Sequence, residues 1–144
     1  MLIWRNGEFV DWEKATVHVT THALHYGSSV FEGIRAYKTK QGTAIFRLQP
    51  HMKRLLNSAK IARIEVPFTE DQFNEAALEI VRRNGHESCY MRPIVFRGAG
   101  VLGVEGRKNP TECVIFTLEW GRYLGKEAIE QGVDVQISTW RRVA

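Results

Sequence analysis

Two apolar helical stripes follow one another in the middle of this chain, and they leave few architectures open. Met52, Leu55, Leu56, Ala59 and Ala62 recur at i, i+3, i+4, i+7 and i+10, which lays one apolar face along a helix. Pro50 stands where a helix can begin without losing a hydrogen bond, and Pro67 closes the segment. Thr69-Glu70-Asp71-Gln72 then reads as a capping box: the Thr hydroxyl accepts from the Gln72 N–H while the Gln72 side chain reaches back. Phe73, Ala76, Ala77, Ile80 and Val81 carry the second stripe, and Asn84-Gly85 ends it.

The flanks of this helix pair are strand-like. Leu2 to Arg5 and Glu8 to Val10 surround Asn6-Gly7, a dipeptide that accepts positive φ in a tight turn. Val17 to Thr20 reads as a short β run and Thr21 to Ser29 as a loop. Ile34 to Tyr37 and Thr43 to Arg47 form a second hairpin around Lys40-Gln41-Gly42. Cys89 to Phe96 and Glu112 to Leu118 are rich in aromatic and branched residues, and a loop from Arg97 to Pro110 with four glycines joins them. Lys126 to Gln131 reads as a short helix and Val133 to Trp140 as a further strand. Strands enclosing a helix pair predict an α+β fold, a mostly antiparallel sheet with two helices.

Composition excludes several classes. A quarter of the residues are charged and 44% are hydrophobic, so disorder is not the main state. The net charge of +4 is spread along the chain, without the basic block a nucleic-acid partner would need. No apolar run approaches the roughly 18 residues of a membrane span. No basic segment followed by an apolar stretch opens the chain, so a secretory signal is not expected. Cys89 and Cys113 sit in apolar strand-like segments and read as buried thiols of a reducing cytoplasm.

Candidate chemistry is sparse. His18, His22 and His25 lack a fourth ligand at useful spacing, so packing or loop hydrogen bonds are expected rather than zinc. Gly98, Gly100, Gly103 and Gly106 match no phosphate-loop pattern. Arg54 lies opposite the apolar stripe of its helix, where a solvated arginine is expected. Arg92 and Arg97 lie in or beside an apolar strand, where an arginine wants an anionic partner. A structural salt bridge and a carboxylate-binding site both satisfy that demand.

The block from His22 to Tyr37, His-Ala-Leu-His-Tyr-Gly-Ser-Ser-Val-Phe-Glu-Gly-Ile-Arg-Ala-Tyr, closely resembles the branched-chain amino-acid aminotransferases, pyridoxal-phosphate enzymes of the class IV group. The resemblance continues through His51 to Leu55 and Ser58-Ala59-Lys60, and resumes at Tyr90-Met91-Arg92-Pro93 and Trp120 to Gly125. D-amino-acid aminotransferases share the fold but differ in the first block. Another class IV transaminase, or a non-catalytic binding or dimerisation module, is the competing reading.

The resemblance implies the small N-terminal domain of the fold-type IV enzymes over residues 1–121. It implies an interdomain linker over 122–132 and the first strand of a larger C-terminal domain over 133–144. The Schiff-base lysine is expected beyond Ala144, so these 144 residues alone are expected to be inactive. Arg54 matches the arginine that binds the cofactor phosphate. Phe31, Tyr90, Trp120 and Tyr123 match the walls of a pocket for the side chains of Leu, Ile and Val. Gly33 and Arg92 match groups that accept the distal carboxylate of glutamate, and Tyr26 and Val104 match residues that reach a neighbouring subunit's site. The implied activity is reversible amino transfer between branched-chain amino acids and 2-oxoglutarate, by a cytoplasmic homo-oligomer. Arg97 matches no such role and is expected to be structural.

Overall fold

The computed structural model describes residues 1–119 and 127–141. The chain runs β1 (Leu2–Arg5), β2 (Glu8–Asp11), a 3-10 turn (Trp12–Lys14), α1 (His22–Tyr26), β3 (Ser29–Phe31), β4 (Ile34–Thr39) and β5 (Gly42–Ile45). Then come α2 (Leu48–Ile61), α3 (Glu70–Asn84), β6 (Cys89–Arg97), β7 (Thr111–Leu118) and α4 (Glu127–Gln131). The strands form one sheet in the order β2-β1-β7-β6-β4-β5, with β3 also on β6. Every pairing is antiparallel, so the α+β expectation holds.

Local chemistry explains the elements that patterning predicts. Asn6 and Gly7 both take positive φ, which matches the strand twist and closes the β1–β2 hairpin. The capping box at Thr69 forms with both of its hydrogen bonds, and Gly85 ends α3 in the left-handed region. Pro50 is the third residue of α2, inside the first turn, where its missing N–H costs nothing. The two stripes press Met52, Leu55, Ala59, Phe73, Ala77 and Ile80 onto one face of the sheet, against Met91, Val95, Cys113 and Ile115. Asn84, at the end of α3, ties this layer together. Its Oδ1 accepts from the Leu2 N–H at 2.7 Å, and its Nδ2 donates to the Leu2 carbonyl and to Thr117 Oγ1 at 3.0 and 2.9 Å.

β3 and β4 lie end to end along β6 in one unbroken register, Phe31 opposite Ile94 and Ile34 opposite Met91. The break at Glu32-Gly33 has a specific cause. Glu32 faces Pro93 and donates its N–H to the Pro93 carbonyl at 3.0 Å, but Pro93 has no N–H to return. Side chains alternate across the gap. Glu32, Ile34 and Ala36 turn toward the helices and are buried, while Phe31 and Gly33 turn to the open face.

Four expectations fail. Val17 to Thr20 is not a strand: His18 Nδ1 takes both the Thr20 hydroxyl and the Thr20 N–H, and the Thr21 N–H returns to the His18 carbonyl, closing a turn. Part of the expected loop from Thr21 to Ser29 is α1, five residues ended by Gly27 at φ 63, too short to show a stripe. Ala62 leaves the α2 stripe as its C-cap and is exposed. Val133 to Trp140 pairs with no strand among the described residues, and Ile137 and Trp140 are fully in solvent. A strand pattern without a neighbouring strand leaves its backbone groups to water. Among the described residues, no helix is long and apolar enough to cross a membrane.

Candidate active site

Four of the expected substrate residues converge on the open face of the sheet. Tyr90 and Arg92 stand two apart on β6, and Phe31 and Gly33 stand beside them on the neighbouring strand line. Arg92 Nε donates to the Tyr90 hydroxyl at 2.7 Å. Its guanidinium carbon lies 4.2 Å from the Phe31 ring centroid and 5.2 Å from that of Tyr90, within the range of cation–π attraction. Gly33 makes room for this: a Cβ there would stand 2.9 Å from the Tyr90 hydroxyl. No carboxylate among the described residues pairs with Arg92. The cluster therefore offers guanidinium donors beside an apolar ring that is 56% exposed. Such a surface can take a carboxylate on the cation or an aliphatic chain on the ring.

Arg97 behaves differently. It is buried, and it donates Nη1 to the Gly106 carbonyl at 2.8 Å and Nη2 to the Arg63 carbonyl. The expected salt bridge is replaced by carbonyl oxygens, which satisfy a guanidinium without a second buried charge. Arg97 is a structural residue that holds the 98–110 loop against the α2–α3 connection.

Arg54 lies on the opposite face, on α2. Its Nε and Nη2 reach the two carboxylate oxygens of Glu32 at 2.5 and 2.6 Å. His51 Nδ1 donates to Glu32 Oε2 at 2.9 Å. The Arg54 side chain is 67% exposed, so it faces solvent as the helical wheel predicts, yet it is anchored at one edge. The Arg54 guanidinium holds the Glu32 carboxyl below its usual range against the opposing effect of burial, with a smaller contribution from His51. Sequence patterning passes over Glu32. Its signal is an acid inside the apolar run Val30 to Ile34, at the alternation position that faces the core.

His22 links Tyr26 to Gly103, the residue before Val104. The buried His22 ring stacks 4.5 Å from Tyr26. Its Nε2 lies 2.9 Å from the Gly103 carbonyl and its Nδ1 2.7 Å from Ser28 Oγ. A carbonyl only accepts, so Nε2 carries the proton and Nδ1 receives the serine hydroxyl. The loop glycines serve close approach, not phosphate: a Cβ at Gly106 would stand 2.6 Å from the His22 ring, and one at Gly100 2.7 Å from Asn109 Oδ1. Val104, at the loop tip, is 87% exposed. No cluster of three or more metal-ligating side chains occurs among the described residues. Trp120 and Tyr123 lie outside the described residues.

The described chain is an α+β unit with one sheet face covered by helices and arginine donors on both sides of the sheet. The family model for amino-transferase class IV matches residues 29–144, and the chain belongs to that family. It is 48% identical to the branched-chain-amino-acid aminotransferase of Pseudomonas aeruginosa, over 98% of this chain and 46% of that protein. It is also 48% identical to the Escherichia coli K12 enzyme of the same name, over 99% and 46%. The chain thus spans about half the length of these relatives. The crystal structure of an Escherichia coli branched-chain amino acid aminotransferase superposes with a TM-score of 0.92 over 99% of this chain and 47% of that one, at 48% identity. A branched-chain amino acid aminotransferase from T.th., complexed with N-(5'-phosphopyridoxyl)-L-glutamate, superposes with a TM-score of 0.81 over 83% of this chain and 40% of that one, at 55% identity.

Proposed function

We propose that the full-length protein is a branched-chain amino-acid aminotransferase, passing an amino group between Leu, Ile or Val and 2-oxoglutarate with pyridoxal 5'-phosphate. The observation that carries this reading is the Phe31–Gly33–Tyr90–Arg92 cluster, where an apolar wall and a cation without an acidic partner among the described residues share one surface. A site that alternates between branched aliphatic chains and glutamate needs both. The names of the relatives, and the phosphopyridoxyl-glutamate complex of one of them, support the same reading.

Residues 1–121 form the small domain in this proposal, 122–132 the linker, and 133–144 the start of a larger domain. Arg54 receives the cofactor phosphate. The fit rests on donor chemistry: the edge of its guanidinium not held by Glu32 suits a dianion. When bound, the cofactor supplies an electron sink for the substrate Cα. Arg92 and Gly33 hold the distal carboxylate of glutamate. Phe31 and Tyr90, with Trp120 and Tyr123, enclose an aliphatic chain and keep water from it. Tyr26, stacked on His22, and Val104, next to the Gly103 that His22 bonds, project into the site of a second copy in a homo-oligomer. The reduced state of both cysteines is compatible with a cytoplasmic protein.

The test is Arg92→Gln in the full-length protein. An aliphatic chain gives that guanidinium nothing to bind, so the glutamate half-reaction should suffer far more than the leucine one. Losing a charged hydrogen bond in a dry site predicts about a 10- to 150-fold fall in kcat/KM for glutamate. Equal losses for both substrates with a lowered melting temperature would assign Arg92 to structure instead.

A further inference from the structure

Glu32 is the only buried carboxylate among the described residues. Removing a carboxylate from water is expensive unless it is paired and hydrogen-bonded. Here its partners come from one helix: Arg54 takes both oxygens, and His51, one turn earlier, also donates to Oε2. The Glu32 backbone is held as well, by its N–H on the Pro93 carbonyl. The acid is thus a fixed point on the sheet from which the Arg54 side chain is gripped.

The mode of grip matters. A guanidinium carries five N–H donors on a rigid plane, and two of its edges can bind an anion in bidentate fashion. Glu32 occupies the edge made by Nε and Nη2. Nη1 bonds no described group, and the side chain as a whole is largely exposed. Nη2 also lies 3.4 Å from His51 Nδ1, so the Nη1 side of the guanidinium is the part left open to a ligand while the plane is held. An arginine on a helix surface without such a hold samples many rotamers and must be ordered by its ligand.

We propose that Glu32 is a positioning residue for phosphate recognition: it fixes the Arg54 guanidinium by one edge so that the other edge is preset for a phosphate dianion, with His51 bracing the carboxylate. This rests on the reading of Arg54 as the cofactor-phosphate arginine. Glu32 supplies rigidity and not charge, since its own charge opposes the anion. A purely structural tie between strand and helix would instead lower stability and leave phosphate recognition alone.

A double-mutant cycle on the full-length apoprotein tests this, with pyridoxal 5'-phosphate and pyridoxal as paired probes. Dissociation constants are measured by fluorescence quenching, and melting temperatures in parallel. Glu32→Gln should weaken pyridoxal 5'-phosphate by about tenfold, the scale of one loosened charged hydrogen bond, and leave pyridoxal unchanged. In the Arg54→Ala background the same substitution should weaken neither probe further. His51→Gln serves if Glu32→Gln does not fold. It removes only the brace and should weaken the phosphorylated probe by about threefold, again only when Arg54 is present. Unchanged affinity, equal weakening of both probes, or additive losses with Arg54→Ala would each overturn the positioning role. An Arg54→Ala protein that keeps full affinity for pyridoxal 5'-phosphate would remove the phosphate reading itself, and this inference with it.

Discussion

Desolvation pushes the Cys113 thiol up to about 12 and raises Cys89 as well, so neither gives a thiolate near neutrality. The sign of the pH effect follows. Above the unfolded thiol's value of about 8.5, the unfolded chain releases protons that the folded chain keeps. Stability from this source is therefore level below that value and falls as the pH rises toward 12. We expect iodoacetamide at about pH 8, below the ordinary thiol value, to label neither cysteine in the folded protein and both in denaturant; labelling of the native state would contradict the burial of both side chains. These thiols are legible because apolar neighbours in sequence become apolar neighbours in the sheet. Glu32 and Arg97 are not. Their partners, Arg54 and the carbonyls of Arg63 and Gly106, lie 9 to 34 positions away, and nothing local records them. Periodicity places Arg54 itself on the correct side of its helix, but a helical wheel says nothing of the strand across from it.

Among the elements, the long helices and the hairpins can be read directly because their determinants are local: stripes, a capping box, and residues that accept positive φ. β3 and α1 are set by tertiary context. β3 exists because β6 offers it an edge, and α1 because the Thr21–Ala99 bridge and the His22 bonds hold its start to the 98–110 loop. Asn84 shows both kinds of information in one residue. With Gly85 it marks the end of α3, yet its side chain also spans to β1 and β7. Asn84→Ala should leave the helix end intact and strand the Leu2 backbone groups, at a cost of roughly 1–3 kcal/mol. Chemical denaturation of the full-length protein reads this as a lower midpoint with an unchanged slope. A loss under about 0.5 kcal/mol, the level of an ordinary surface change, would mean that water replaces the amide without penalty.

Across the described residues, the proposed function divides labour between the two faces of the sheet. Met91, Val95, Cys113 and Ile115 lie under the helices, while Tyr90 and Arg92 face the other way, near a groove of about 360 Å³ lined in part by Ile94, Phe96, Val114 and Phe116. Alternation in Cys89 to Phe96 is visible in the sequence, but not which parity faces inward. Cys89, Met91 and Val95 on one side and Tyr90, Ile94 and Phe96 on the other are both apolar sets. The helix stripes decide the matter by covering one side. Neighbours in sequence should therefore have separable effects. Met91→Ala opens a cavity in the covered layer and should cost roughly 2–5 kcal/mol of stability, leaving the ratio of leucine to glutamate kcat/KM unchanged. Phe31→Ala removes a half-exposed ring and should move stability by less than about 0.5 kcal/mol. It also removes the apolar wall beneath Arg92, so leucine kcat/KM should fall by about 10- to 200-fold, the scale of a lost pocket contact. Thermal melts and kcat/KM for both amino acids, on both full-length variants, make the comparison. If Met91→Ala shifted the substrate ratio, or Phe31→Ala lowered the melting temperature as much as Met91→Ala, stability and recognition would not be divided between the two faces of this sheet.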